Sequence, residues 1–282
     1  MSLTKKRGTE DNALYMAFSF ALTNPGLEKS LIMEVQTRFP GWRLAFSAPG
    51  FVTFKGPDDG SWPVPVLARL WGECLGKASA APEGADLLDL GPTGTWAVKV
   101  QTPDPFWPNP LQHSLIDLPP EAPSRAWLKI EEAMQLFDLP IGEGTTCLEV
   151  GCAPGGAAWS LLNYGVKVIG VDPAEMDPRV MRHPNFKHLK RPFQELTPDL
   201  YGGVNWWLSD LNLAPGSVLS HLGRLLREAE KPDGLILTLK MAKPEVALEF
   251  TEHARRVADW GYETHLRLLP SHNKEVLLLA LK

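Results

Sequence analysis

The sequence predicts an α/β protein whose C-terminal part, from about residue 124, is a mostly parallel sheet with helices on both faces. Strand-like and helix-like segments alternate in this part, which is the pattern of parallel strands joined by crossover helices. The last two strand-like segments have no helix between them, so we expect an antiparallel hairpin at the sheet edge. A glycine-rich turn at residues 151–156 follows the first of these strands.

The first hundred residues predict a smaller α/β module. Its elements, in chain order, are a strand at 14–22, a helix opened by Pro25 and Gly26, a strand at 50–56, a second helix at 64–77 and a strand at 95–102. Residues 103–123 are dense in proline and cannot sustain a helix or a central strand. We therefore predict an N-terminal domain at 1–105, a linker at 106–123 and a larger domain at 124–282.

The periodicity of apolar residues in the larger domain predicts six strands and four helices. The strands are expected at 145–150, 166–171, 204–209, 234–240, 262–269 and 275–282, and the helices at 125–137, 157–164, 218–230 and 245–260.

Composition and charge exclude several classes of protein. No apolar run approaches the roughly 20 residues that cross a bilayer, and no secretory signal follows the basic residues near the N-terminus. The chain has only three cysteines, Cys74, Cys147 and Cys152, which fits a reducing cytoplasm. Because they lack the spacing of a zinc site, we expect no structural metal. The net charge of −5 is unusual for a protein that binds phosphates, although a local basic groove is compatible with it.

The glycine-rich turn is a candidate ligand-binding loop. Gly151, Gly155 and Gly156 separate a buried strand from a helix start, where backbone amides can approach a carboxylate or phosphate. Asp172 ends the next strand and could accept both hydroxyls of an adenosine ribose. The residues match neither the G-x-G-x-x-G dinucleotide pattern nor a phosphate-binding P-loop. A strand-to-helix turn without a ligand is the alternative.

Charged residues are expected to converge on one rim of the sheet. Asp210 and Lys240 follow the carboxyl ends of parallel strands, and Glu275 begins an antiparallel strand, so its start lies on the same side. Lys129 lies in the helix before the first strand and could reach that edge. Taken singly, each residue fits a solvated strand cap, a turn or an exposed hairpin residue.

Five segments together resemble the FtsJ-type ribose 2′-O-methyltransferases: PSRAWLKIEEA, LEVGCAPGGAAWSLL, SDLN, TLK and NKEVLLLAL. The resemblance implies a class I (Rossmann-like) fold, the cofactor S-adenosylmethionine and RNA as the partner. It places the family's Lys-Asp-Lys-Glu tetrad on Lys129, Asp210, Lys240 and Glu275. The implied cofactor-binding residues are Gly151, Cys152, Ala153, Pro154, Gly155, Gly156, Trp159, Asp172 and Asp210.

Residues 106–133 most resemble the RlmM branch of this family. That branch methylates a cytidine ribose in bacterial large-subunit ribosomal RNA and begins with a THUMP-like RNA-binding region, which the N-terminal part of this chain matches weakly. The family's adenine-binding Asp has no counterpart near Arg191, so we expect Phe193 and backbone groups to contact the adenine. Asn212 and Pro215 could shape the substrate mouth, or merely form a turn.

The chemistry that the resemblance implies requires a base. A ribose hydroxyl must lose its proton as it attacks a methyl group, and a lysine with a pKa near ~10.4 is mostly protonated. We assign Lys240 as the base, with Lys129 as the second ammonium that lowers its pKa and orients the substrate. Asp210 and Glu275 would orient both ammonium groups and oppose the shift.

Three alternatives stay open at this point. The chain could methylate a substrate other than RNA, or it could be a non-catalytic RNA-binding factor that retains the cofactor fold. Basic and aromatic residues alternate in the N-terminal module, and they could bind RNA or be solvated surface over an aromatic core. These residues are Lys29, Arg38, Arg43, Lys55 and Arg69 with Phe39, Trp42, Phe46, Phe51 and Trp62.

Overall fold

The computed structural model describes residues 16–101, 114 and 116–282. Half of the predicted linker and the start of the first predicted strand lie outside these residues. The described chain forms two sheets, one in each predicted part. The domain boundaries and the THUMP-like assignment stay predictions.

The N-terminal sheet is antiparallel, with the strand order β2-β3-β1-β4-β6-β5. A single described helix, α1 (Glu28–Arg38), accompanies it, opened by Pro25 and Gly26 as predicted. The strands are β1 (Met16–Leu22), β2 (Arg43–Ala48), β3 (Phe51–Pro57), β4 (Leu70–Lys77), β5 (Asp86–Asp89) and β6 (Thr95–Val100).

The prediction of a second helix at 64–77 is wrong, because residues 70–77 form β4. Leu70, Gly72 and Cys74 are buried while the residues between them are partly exposed, so the burial follows the two-residue period of a strand. Two glycines, Gly72 and Gly76, also disfavour a helix. The apolar residues of this segment fit both periods, and the pairing of β4 with β1 and β6 decides between them.

The C-terminal sheet has seven strands in the order β12-β13-β11-β10-β7-β8-β9. All neighbours are parallel except β13, which runs antiparallel to both β11 and β12. This confirms the predicted class I fold and the terminal hairpin. The strands are β7 (Thr146–Val150), β8 (Lys167–Val171), β9 (Phe186–Leu189), β10 (Trp206–Ser209), β11 (Gly234–Lys240), β12 (Glu263–Arg267) and β13 (Glu275–Leu281).

Helices connect these strands close to the predicted positions. The sequence analysis did not predict β9, which has only four residues and no fully buried side chain. The helices are α2 (Ala126–Phe137), α3 (Gly156–Asn163), α4 (Pro178–Met181), α5 (Pro198–Tyr201), α6 (Pro215–Glu228) and α7 (Phe250–Ala258), with 3₁₀ turns at Phe193–Glu195 and Pro244–Glu249.

The two parts share apolar packing. One cluster of buried side chains extends from Leu31 and Val35 of α1 to Ala247 and Phe250 of the C-terminal part. Burial of such side chains stabilises the fold by roughly 25 cal/mol per Å², so the N-terminal module is held against the C-terminal sheet. Within the described residues, no helix is both long and apolar enough to cross a bilayer.

Candidate active site

The glycine-rich loop lies between β7 and the start of α3, as the sequence predicts. Gly151 and Gly155 have φ angles of +79° and +114°, which side chains rarely adopt, so these positions favour glycine. A cleft of about 300 Å³ opens beside the loop. Its lining includes Gly151, Cys152, Ala153 and Pro154 together with Lys129, Asp210 and Glu275.

Asp172 follows β8 and braces the loop. Its Oδ2 accepts a hydrogen bond from the Ala153 amide at 3.1 Å, and its Oδ1 accepts one from the Ala174 amide at 2.8 Å. The side chain is half-buried, and a carboxylate oxygen can accept more than one hydrogen bond. The predicted ribose acid therefore lies next to the loop with its position already fixed by backbone amides.

The side chains of three predicted cofactor residues, one of them Cys152 of the loop itself, contact other parts of the protein. The Phe193 ring is buried in the core, 5.6 Å from the His221 ring, so its side chain does not line the cleft. The Trp159 ring lies beneath the Arg179 guanidinium, 5.9 Å from the ring centre. The Cys152 thiol packs 3.5 Å from the Met176 sulfur. Their contacts with a cofactor stay predictions.

The structure brings together all four predicted charged residues in a closed ring. Lys129 Nζ lies 2.8 Å from Asp210 Oδ2 and 2.7 Å from Glu275 Oε1. Lys240 Nζ lies 2.6 Å from Asp210 Oδ1 and 2.5 Å from Glu275 Oε2. Each ammonium therefore bridges both carboxylates. We call Lys129, Asp210, Lys240 and Glu275 the tetrad.

The sheet topology produces this ring. Asp210 comes directly after β10 and Lys240 ends the neighbouring parallel strand β11. Because β13 is antiparallel, its first residue, Glu275, pairs in register with Lys240. Lys129 projects from α2 across the same edge. The side chains are between 9% and 22% exposed, so the ring is largely desolvated yet open to the cleft.

The carboxylates of the tetrad are held ionised. Burial acts to raise the pKa of Asp210, but the attraction of Lys129 and Lys240 outweighs it and the net pKa is lowered. The pKa of Glu275 is likewise lowered, because His272 and Lys129 together outweigh the effect of burial. Both groups therefore stay negatively charged in the ring.

The expectation that Lys240 has a lowered pKa is wrong for the isolated protein. Burial does act to lower the pKa of Lys240, but Asp210 and Glu275 outweigh it and the net pKa is raised. One ammonium neighbour cannot offset two carboxylates in direct contact. Lys240 is therefore positively charged in this state.

A second cleft of about 450 Å³ is also lined by Glu275. Asn212 and Pro215, which the sequence suggested for the substrate mouth, both line it together with Lys240 and Met241. The tetrad therefore contributes to two clefts: Lys129, Asp210 and Glu275 line the one beside the glycine loop, and Lys240 and Glu275 line the second.

Sequence reasoning missed a buried polar group behind the tetrad. Glu149, Ser209 and His272 line an internal cavity with Lys129 and Asp210. Burial raises the pKa of Glu149 well above its usual value. Burial lowers the pKa of His272 to about 4, so His272 is neutral near pH 7. A charged residue inside the buried strand segment TTCLEV was the signal that could have identified Glu149.

In the N-terminal module, the aromatic residues proposed for base stacking lie mostly in the core. Trp42 and Phe51 are buried, and Phe46 packs against Phe51. Arg43 and Lys55 are exposed on neighbouring strands. The exposed aromatic residue beside them is Phe18, whose ring centre lies 5.9 Å from Lys55 Nζ. RNA binding by this module stays a prediction.

Comparison with known proteins identifies a family domain. Residues 122–250 match the family model described as FtsJ-like methyltransferase. The ribosomal RNA large subunit methyltransferase M of Laribacter hongkongensis is 32% identical over 192 residues, which are 64% of this chain and 54% of that protein. The protein of the same name from Marinobacter nauticus is 31% identical over 159 residues, 53% of this chain and 44% of that protein.

The chain thus spans about half the length of these two relatives. Among solved structures, the fibrillarin pre-rRNA processing protein of Methanococcus jannaschii aligns with a TM-score of 0.45 at 11% identity, over 85% of this chain and 97% of that one.

Proposed function

Since the chain carries an FtsJ-like methyltransferase domain over residues 122–250, we propose that it methylates a ribose 2′-hydroxyl of RNA. We further propose that this ribose belongs to a cytidine of large-subunit ribosomal RNA. The observation that carries the proposal is the tetrad beside the glycine loop. The names of the two bacterial relatives support ribosomal RNA as the substrate.

The cleft beside the glycine loop fits the cofactor of such a domain, S-adenosylmethionine, which supplies an electrophilic methyl group on a positively charged sulfur. Its volume of about 300 Å³ is at the lower end of the range of small-molecule sites. The loop amides and the start of α3 favour a carboxylate. Behind the loop, Glu149 Oε2 is buried and has no hydrogen-bond partner among the described residues, as expected beside a polar ligand or water.

Lys240 is the residue that we assign to accept the proton of the ribose hydroxyl. In such a site the cofactor would supply the methyl group and leave as a neutral thioether, while Lys240 Nζ would accept the proton that the ribose hydroxyl loses. Lys240 must be neutral for this step, although its pKa is raised in the isolated protein. The tetrad carries two positive and two negative charges, so a positively charged ligand beside it favours loss of one lysine proton.

The pH dependence of the methylation rate tests this role of Lys240. The neutral fraction of a lysine grows with pH, so the rate is expected to rise with pH until Lys240 is deprotonated. Glu275 raises the pKa of Lys240, so Glu275→Gln lowers that pKa and should move the rising limb to lower pH. The check is to measure methylation rates of the wild type and of Glu275→Gln from pH 6 to 10 at saturating cofactor. If the rate rises over the same pH range in both proteins, Lys240 is not the group whose deprotonation causes the rise.

The direct experiment for the proposed function is transfer of a labelled methyl group to deproteinised ribosomal RNA. A ribose 2′-O-methyl group blocks alkaline cleavage at the adjacent phosphodiester, because that cleavage requires the free 2′-hydroxyl. The label should therefore appear in alkali-resistant dinucleotides whose 5′ nucleoside is cytidine. Label in alkali-released mononucleotides would contradict ribose methylation.

Two lysine variants control this experiment. Lys240→Ala should reduce labelling to background, whereas Lys167→Ala should label like the wild type. Lys167 is exposed at the first residue of β8, the end of the sheet away from the tetrad. Equal labelling by Lys240→Ala would remove the base assignment. No labelling by the wild type at saturating cofactor would favour a binding factor or a different substrate.

A further inference from the structure

The N-terminal module reaches the tetrad through one loop. Residues 268–274 join β12 to β13, and we call this segment the β12–β13 loop. It ends at Glu275, the carboxylate that contacts both lysines of the tetrad. Glu275 is held on one side by its pairing with Lys240 and is reached on the other side from this loop.

On one side, the β12–β13 loop is bonded to α2, the helix that carries Lys129. The amide and hydroxyl of Ser271 both donate hydrogen bonds to Glu132 Oε2, at 3.0 and 2.6 Å. Arg125, just before α2, donates to the Ser271 carbonyl at 3.0 Å. These bonds fix the middle of the loop relative to Lys129.

On the other side, the loop is bonded to Asn24, which follows β1 in the N-terminal module. Asn24 Nδ2 donates hydrogen bonds to the carbonyls of Leu269 and His272, at 2.8 and 2.7 Å. The Asn24 side chain is buried, and its backbone turn is fixed because its carbonyl accepts a bond from the Leu27 amide at 3.0 Å. Both hydrogen atoms of the Asn24 side-chain amide therefore bond to carbonyls of a loop that is nearly 250 residues away in sequence.

We propose that Asn24 is a positioning residue for methyl transfer: by holding the Leu269 and His272 carbonyls, it fixes the β12–β13 loop and so places the Glu275 carboxylate against Lys129 and Lys240. The inference rests on the proposed function. It gives the N-terminal module a part in assembling the catalytic geometry, separate from any contact with substrate.

The chemistry of the loop explains why this contact affects Glu275. Within the loop, the Leu269 carbonyl also accepts a bond from the His272 amide at 3.1 Å, and His272 Nδ1 accepts one from the Leu269 amide at 3.4 Å. The Asn24 bonds add the connection from both carbonyls to the N-terminal module. A buried carbonyl that loses a donor is costly, so without Asn24 the His272 carbonyl must find water or another partner, and the loop moves.

The test compares Asn24→Ala with Glu28→Ala. Glu28 Oε1 accepts hydrogen bonds from the Gly26 and Gly50 amides, at 3.0 and 2.7 Å, so it stabilises the same turn without touching the loop. Both variants weaken the N-terminal module, but only Asn24→Ala releases the loop. Hydrogen–deuterium exchange of the full chain, followed in the peptide that covers residues 268–275, needs no enzymatic activity.

Asn24→Ala should increase exchange in this peptide by at least about tenfold, while Glu28→Ala leaves it near the wild-type rate. In methylation assays, Asn24→Ala should lower kcat by about tenfold or more with little change in the KM for RNA or in cofactor affinity. The methylation rate of Asn24→Ala should begin to rise at lower pH than that of the wild type. The reason is that a Glu275 carboxylate held less firmly against Lys240 raises the pKa of Lys240 less. The other groups facing Lys240 are Asp210 and Lys129, which lie outside the loop, and His272, which moves with the loop but is neutral near pH 7.

Asn24→Ser is the second variant, because its hydroxyl is too short to reach both carbonyls and it removes less volume. The positioning role is wrong if either folded Asn24 variant exchanges at the wild-type rate in the loop peptide. It is also wrong if kcat falls but the methylation rate still rises over the same pH range as in the wild type. Equal effects in Glu28→Ala would reduce Asn24 to a general stabilising residue and also overturn the proposal. If the wild type methylates no RNA, the proposed function fails, whereas the exchange comparison still decides whether Asn24 fixes the loop.

Discussion

Lys240→Arg is expected to lower the single-turnover rate of methyl transfer by about 10³-fold. Arginine keeps the positive charge and can still bridge two carboxylates, so Asp210 and Glu275 remain paired. Its guanidinium cannot be deprotonated under working conditions, so it cannot accept the proton of the ribose hydroxyl. The variant therefore separates the role of base from the role of structural cation.

Lys129→Arg is the matched control, because Lys129 contacts the same two carboxylates. The role assigned to Lys129 needs a cation and not a base. Lys129→Arg should therefore lower the single-turnover rate much less than Lys240→Arg does. Single-turnover rates at saturating RNA give the comparison, and calorimetric titration with S-adenosylmethionine shows whether the cofactor still binds. If Lys240→Arg keeps more than a tenth of the wild-type rate, or if Lys129→Arg is the more severely impaired, the assignment fails.

Gly156→Ala is expected to destabilise the fold by about 3 kcal/mol. A Cβ atom at residue 156 would lie 2.7 Å from the Ser124 carbonyl oxygen and 3.0 Å from the Trp127 amide nitrogen. These are backbone atoms at the start of α2, so α2 and α3 would have to separate. The same shift would move Lys129 away from Asp210, so methylation should fall with stability.

Gly142→Ala is the control for this glycine, because a Cβ atom there would have no neighbour within 4 Å. Its free energy of unfolding should stay within about 0.5 kcal/mol of the wild type. Urea denaturation of the three proteins gives the values. A Gly156→Ala protein as stable as Gly142→Ala would show that the two helices can separate at little cost.

The sequence was most informative where chain topology alone decides the outcome. The carboxyl ends of parallel strands meet at one edge, and the missing crossover helix before residue 275 reverses the last strand. These two rules suffice to bring Asp210, Lys240 and Glu275 together. The parallel order of β7, β8, β10 and β11 follows from the same alternation.

Sequence reasoning failed where a local pattern fits two outcomes or where a sum of opposing effects is needed. Residues 64–77 contain apolar residues at both helical and strand spacing, and only the pairing partners β1 and β6 decide for a strand. The pKa of Lys240 depends on burial against two carboxylates and one ammonium, and such a balance requires distances. The position of Phe193 after β9 does not reveal that its ring faces the core, and a contact of this residue with the adenine stays a prediction.

The placement of β13 has a consequence for how the protein folds. β13 follows β12 in the chain but lies between β12 and β11, and among the described strands β12 pairs only with β13. β12 can therefore join the sheet only together with β13 or after it, and the pairing of β13 with β11 joins distant parts of the chain. Glu275 enters with β13, so the tetrad stays incomplete in a partly folded chain that has assembled only β7, β8 and β10.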